Sequence, residues 1–222
     1  MKYFYLTISC FIISLNLACA QQENPPNIEL SDESDYYIEK IVDGIDIPWG
    51  MTFINNKEFL VSNRDGLLYH VKNGEKTAVK GLPEIHYNGQ GGLLDLAIDN
   101  NFGNNNFLYF TASVPGGEDE GSNTALYRAN YSNYNLTGLK LLYKASPNSN
   151  KGQHYGSKIL IDSNYIYFSI GDRGNRDVNP QDITRDGGKI YRINLDGSIP
   201  SDNPFSDIKN AKKAIWSYGH RN

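Results

Sequence analysis

His154 stands in the string Gly152-Gln153-His154-Tyr155-Gly156, just ahead of a run that alternates apolar and polar residues. An imidazole titrates near neutral pH and can take a proton from a substrate, and flanking glycines let a flat ligand come close. If Ser163-Asn164 is a two-residue hairpin turn, counting outward on both sides sets Gly171-Asp172-Arg173 opposite His154-Tyr155. Asp172 then lies beside the imidazole. A carboxylate that accepts one ring N–H fixes the tautomer and leaves the other nitrogen the better base, a relation worth about 10²–10⁴ in rate. The competing reading of a lone histidine before a strand is a hydrogen-bonded structural residue. Three other segments stand in the same place relative to a strand: Pro48-Trp49, Gly89-Gln90-Gly91-Gly92 and Arg221-Asn222. They become neighbours of His154 only in a fold that gathers the entrances of its strands around one axis.

The rest of the pattern describes such a fold. From Tyr37 onward the chain shows period-two runs of four to seven residues and no stretch with a 3.6-residue apolar stripe, so the body is expected to be all-β. The runs repeat loosely. Gly50 to Asn55, Glu58 to Ser62 and Gly66 to Val71 form a first copy, closed by Asn73-Gly74. Leu93 to Asp99, Phe107 to Thr111, Ala125 to Ala129 and Lys140 to Tyr143 form a second, and Ser157 to Asp162, Tyr165 to Ile170 and Lys189 to Asn194 a third. A four-stranded unit recurring every ~45–65 residues predicts a β-propeller. An irregular β-sandwich is the alternative, but it gives no reason for each copy to open on a glycine-flanked polar or aromatic residue. Three copies do not close a ring of roughly 4 to 8 blades. The chain is therefore expected to be the N-terminal part of a longer product, with residues 214–222 starting a fourth blade.

Composition agrees with that class and excludes others. Sixteen tyrosines and 21 glycines favour short strands and tight turns over long helices. A net charge of -4, with Lys and Arg scattered, provides no field for a polyanion, so nucleic acid is not an expected partner. Residues 1–20 read as an export signal: Lys2, an apolar run from Phe4 to Leu17, and the small-residue site Ala18-Cys19-Ala20. The run is shorter than the roughly 20 residues of a spanning helix, so no membrane span is expected. A lipid anchor on Cys19 is the other reading of the same site. Residues 21–37, acidic and free of Lys and Arg, have the composition of a disordered linker to the body at 38–222. Cys10 and Cys19 both fall in or at the signal, so the mature body has no disulfide to rely on.

Four strings occur in the order and approximate spacing of a known family: Gly89-Gln90-Gly91-Gly92-Leu93-Leu94-Asp95, His154-Tyr155-Gly156, Ile170-Gly171-Asp172-Arg173-Gly174 and Tyr218-Gly219-His220-Arg221-Asn222. Over about residues 40–222 the chain resembles the glucose/sorbosone dehydrogenases, soluble six-bladed propellers that use pyrroloquinoline quinone (PQQ). The resemblance implies an oxidoreductase that converts the anomeric hydroxyl of an aldose to a lactone and passes electrons to an external acceptor, and the export signal makes it periplasmic or secreted. It implies that His154 is the general base, Asp172 its carboxylate partner, and Arg221 the residue polarising the quinone oxygen where charge develops. Gln90 and Asn222 match neutral side chains that hold the cofactor's rim. Calcium is implied too, with its ligands beyond Asn222, so its residues here are unknown. Gln153 departs from the acidic residue some relatives carry beside the base.

Two rivals share the fold. A calcium-dependent lactonase would build its channel from several carboxylates, which the Gln90, His154 and Arg221 set does not supply. A non-catalytic carbohydrate- or protein-binding propeller would not need the His154 and Asp172 pair. His70, His86 and His220 are expected to be structural or solvent-facing, with His220 beneath Arg221. The segment 172–186, with Asp177, Asp182 and Asp186, lacks EF-hand spacing and reads as a polar rim loop.

Overall fold

The computed structural model describes residues 38–117 and 119–222. The expected signal peptide, linker and lipid-anchor site lie outside the described residues. Lys40–Asn222 forms the folded body, whose described residues make twelve strands in three four-stranded antiparallel sheets, each in simple sequence order. The first sheet comprises β1 (Pro48–Asn55), β2 (Glu58–Asn63), β3 (Leu67–Lys72) and β4 (Glu75–Val79). The second comprises β5 (Leu93–Ile98), β6 (Phe107–Val114), β7 (Asn123–Ser132) and β8 (Asn135–Lys144), with a single helical turn α1 (Phe102–Asn105) between β5 and β6. The third comprises β9 (Ile159–Asp162), β10 (Tyr165–Ile170), β11 (Lys189–Asn194) and β12 (Ile215–Tyr218).

Turn chemistry sets the registers. Asn73 and Gly74 both have positive φ (52° and 81°), as the tight two-residue hairpin between β3 and β4 requires. The β9–β10 hairpin turns at Ser163-Asn164 and pairs Tyr165 with Asp162 through Phe168 with Ile159, the register expected from sequence. Beyond the regular ladder the two segments stay together, and the Arg173 N–H donates to the His154 carbonyl at 3.3 Å. That extension carries Asp172 to His154.

Apolar residues fill the spaces between the sheets, as in a stack of propeller blades. Leu60, Leu68 and Val79 of the first sheet pack with Leu96, Leu108, Phe110 and Leu136 of the second. Tyr109 and Leu126 of the second pack with Ile166, Phe168, Tyr191 and Ile215 of the third. The first strands of the sheets stand side by side, β1 by β5 and β5 by β9. Polar side chains seam them: Ser62 Oγ donates to Leu94 O at 2.5 Å, and Asp95 Oδ2 accepts the Ile159 N–H at 2.8 Å. Gly50 is required here, because a Cβ would lie 2.8 Å from Asp95 Cα. The body is thus three successive blades of a β-propeller, and the sandwich alternative is set aside.

Two details differ from the sequence expectation. A fourth strand, β4, completes the first blade; its sequence Glu-Lys-Thr-Ala-Val is mostly polar because it forms the outer edge. Residues 215–218 do not start a fourth blade. They pair with β11 (Lys189 with Tyr218, Ile190 with Ser217) and complete the third, since Ile215 buries against the Ile166 and Phe168 side of that sheet. Arg221 and Asn222 follow this outer strand, as the 89–92 and 152–156 segments follow β4 and β8.

Candidate active site

All five site residues expected from sequence meet at one place, drawn from four connections of the fold. His154 lies between β8 and β9, Asp172 after β10, Gln90 between β4 and β5, and Arg221 with Asn222 after β12. His154 Nδ1 donates to Asp172 Oδ1 at 2.8 Å, with the histidine side chain 13% exposed and the carboxylate fully buried. Gln90 Oε1 accepts the His154 backbone N–H at 2.8 Å, and Asn222 Oδ1 accepts the Gly156 N–H at 2.9 Å. The Asp172 N–H donates to the Arg221 carbonyl at 2.7 Å. Each expected residue therefore touches the His154 loop or its carboxylate partner.

His154 itself sits at φ 52°, a left-handed conformation that costs a β-carbon residue on the order of 1–2 kcal/mol. Contacts from both neighbouring segments hold it there. Gly89 and Gly171 permit the approach: a Cβ would lie 2.2 Å from the Gly152 carbonyl oxygen at Gly89 and 2.3 Å from the His154 carbonyl oxygen at Gly171. A cavity of about 350 Å³ opens at this point, lined by His154, Asp172, Gln153, Arg176, Asp177 and Arg221 among others. Gln90 and Asn222 bind the loop beside it.

Asp172 is held tightly on one oxygen. Oδ1 also accepts the Gly174 N–H at 2.7 Å, whereas Oδ2 is buried without a hydrogen-bond partner among the described residues. An under-solvated carboxylate of this kind stabilises positive charge on the ring beside it. With Nδ1–H committed to Asp172, Nε2 carries the lone pair. The arrangement can accept one proton from a group entering the cavity and return it to solvent.

Three supporting residues were not singled out from sequence. Asn179, 5% exposed, donates to the Asp172 carbonyl at 3.0 Å. Lys189, fully buried, donates to the carbonyls of Gly187 and Asn179, and burial pushes its ammonium down to about 8. Arg173 is 1% exposed, and its guanidinium contacts backbone carbonyls beneath the His154 loop. The hairpin count places Arg173 opposite His154-Tyr155 but gives its side chain no role, and no spacing signal marks Asn179 or Lys189, because each of the three acts on carbonyls brought near only by folding.

None of the other histidines, His70, His86 and His220, lines this cavity. His70 is buried, bonded to the Tyr131 hydroxyl and paired with Glu58 at 3.3 Å. The His86 N–H donates to Ser113 O, and His220 Nε2 meets Ser217 Oγ at 2.8 Å. Asp182 accepts from Thr184 within the loop, whereas Asp186 accepts the Tyr143 hydroxyl and the Ser146 N–H and so ties the 172–186 loop to the second blade.

Three four-stranded blades with a histidine–carboxylate pair at the strand entrances place the chain in the β-propeller class, with a proton-accepting group at the wall of a cavity. The family model for glucose/sorbosone dehydrogenase matches residues 45–222, and the chain belongs to that family of soluble PQQ-dependent sugar dehydrogenases. It is 30% identical over 190 residues to the aldose sugar dehydrogenase YliI of Escherichia coli K12, covering 83% of this chain and 51% of that one. It is 29% identical over 201 residues to quinoprotein glucose dehydrogenase B of Acinetobacter calcoaceticus, covering 78% and 41%. Among solved structures, the apo form of the soluble E. coli aldose sugar dehydrogenase superposes with a TM-score of 0.78 at 30% identity, covering 83% of this chain and 54% of that one. The PQQ-bound aldose sugar dehydrogenase of Streptomyces coelicolor gives 0.70 at 25% identity, with coverage of 83% and 54%. The chain spans about half the length of the curated relatives it matches.

Proposed function

We propose that the full-length protein is an exported PQQ-dependent dehydrogenase that oxidises the anomeric C1 hydroxyl of an aldose to the lactone and passes the electrons to an external acceptor. The observation that carries this reading is the 2.8 Å bond from His154 Nδ1 to the buried Asp172, at the wall of an open cavity.

The residues present suit a flat, anionic quinone. Gln90 and Asn222 each use the side-chain oxygen on a backbone N–H, which leaves their NH₂ groups as donors. The Arg221 guanidinium lines the cavity as a cation. Gln90, Arg221 and Asn222 would hold the cofactor. When bound, the quinone supplies the acceptor for the hydride leaving C1. His154 Nε2 takes the hydroxyl proton, Asp172 stabilises the imidazolium so formed, and Arg221 provides positive charge where an oxygen gains negative charge. One hydride and one proton leave the sugar, which accounts for the two-electron oxidation to lactone. Calcium, which the family resemblance implies, finds no cluster of three or more His, Cys, Asp or Glu side chains among the described residues, and no step here depends on it. No helix among the described residues is long and apolar enough to cross a membrane.

The test is sugar-dependent dye reduction by the full-length protein supplied with quinone and Ca²⁺. His154→Ala is expected to lower kcat by about 10²–10⁴ at matched folded fraction. Full activity in that variant overturns the base assignment, and no turnover of any aldose by the quinone-loaded wild type overturns the substrate class.

A further inference from the structure

Arg173 is the largest side chain buried beyond 98% in the described body, and its hydrogen bonds go to backbone carbonyls alone. One terminal nitrogen donates to the Gln153 carbonyl; the other donates to Lys151 O at 2.9 Å and Ser122 O at 3.3 Å. Its guanidinium carbon sits 3.4 Å from the centroid of the Tyr155 ring, and the Tyr155 hydroxyl meets Ser122 Oγ at 3.0 Å. Burial pushes the Arg173 pKa down, opposed by Tyr155 and Asp172. A guanidinium remains charged under such pressure; both terminal nitrogens are paired, while Nε is buried without a hydrogen-bond partner among the described residues.

Where it lies decides the geometry of His154. The peptide joining Gln153 to His154 is gripped at both ends: Arg173 takes its carbonyl, and Gln90 takes its N–H at 2.8 Å. The Arg173 backbone N–H then takes the next carbonyl, that of His154, at 3.3 Å. His154 is thereby fixed at φ 52°, a conformation a non-glycine residue does not keep unless its surroundings dictate it. Ser122 belongs to the second blade and Arg173 to the third, so the same side chain ties two blades together under the loop.

We infer that Arg173 is a positioning residue for the proposed dehydrogenase: from below the site it locks the left-handed backbone of His154, and so the direction of the imidazole, by holding the carbonyls of Lys151, Gln153 and Ser122. This rests on the reading of His154 as the base. A Lys ammonium is a single-point donor that does not reproduce a planar fork spread over three carbonyls, and a Met side chain has no N–H to donate. A misaimed base loses rate in the chemical step more than in sugar binding.

The experiment uses Arg173→Met and Arg173→Lys in the full-length protein, with the same readouts taken on Arg173→Lys should Arg173→Met not fold. At matched folded fraction, kcat is expected to fall about tenfold to hundredfold with KM within about threefold of wild type, Arg173→Lys losing less than Arg173→Met, and the pH profile of kcat is expected to move. In the quinone-free protein, NMR titration of ¹³C-labelled histidine rings, with the His154 signal assigned by its loss in His154→Gln, is expected to show a displaced midpoint for His154 alone. A lower melting temperature with unchanged kcat, pH profile and His154 titration overturns the inference and leaves Arg173 a structural staple. The ring titration needs no turnover, so it reads the positioning role even if the wild type oxidises no sugar, an outcome that would count against the proposed function instead.

Discussion

At the scale of single residues, the site works by division of labour between two ends of one imidazole. Asp172 binds Nδ1 and leaves Nε2 to the substrate. Asp172→Asn keeps the shape of the side chain but removes the charge, and its amide can present N–H to a ring nitrogen that then must accept. The variant is expected to lose about 10²–10⁴ in kcat with a KM close to wild type, measured by dye reduction in the quinone-loaded full-length enzyme; equal loss in KM would assign Asp172 to binding instead. The pairing of these two residues was legible in the sequence because a two-residue turn at Ser163-Asn164 fixes every partner further along both strands. Arg173 was not legible in the same way. Its partners lie at 122, 151 and 153, and no local pattern announces that three carbonyls will converge on one guanidinium.

At the scale of elements, the site loops and the inter-blade seams carry the stability. Gly89, at φ 59°, meets the Gly152 carbonyl where any Cβ would collide. Gly89→Ala is expected to lower stability by about 1–3 kcal/mol and to reduce activity as well, because the two loops it parts are those of Gln90 and His154; chemical denaturation and dye reduction on the same preparation check both. His70 of the first blade meets Tyr131 and the Tyr134 ring of the second, with Glu58 of its own sheet 3.3 Å from the imidazole and Lys72 paired to that Glu58. Burial holds its pKa below the ordinary 6.5, with Glu58 opposing. The unfolded chain therefore takes a proton at this position before the folded one does, and stability falls as pH drops through 6.5 until the folded group also titrates. His70→Gln is expected to flatten the acid side of melting temperature against pH between 7 and 5, read by thermal denaturation; an unchanged slope would show that His70 does not report on this seam. Strand positions with period-two burial were legible, whereas β4 was not, because an outer-edge strand of Glu75, Lys76 and Thr77 shows water most of its side chains. β12 was legible as a strand but not as to its sheet, since the choice between completing one blade and opening the next depends on the 195–214 connection folding back along β11.

At the scale of the whole molecule, three stacked blades bring connections more than sixty residues apart in sequence to one cavity. Apolar side chains remain exposed on the first sheet at Met51 and Phe53 and on the third at Leu160 and Trp216, while the faces turned to the second sheet are filled. The functional claim depends on that convergence, and the position of the bound cofactor reports on it most directly. A crystal structure of the full-length protein soaked with quinone is predicted to show the ring within contact distance of both His154 and Arg221, its rim held by Gln90 and Asn222. A ring seated elsewhere in a protein that still turns over sugar would contradict the account.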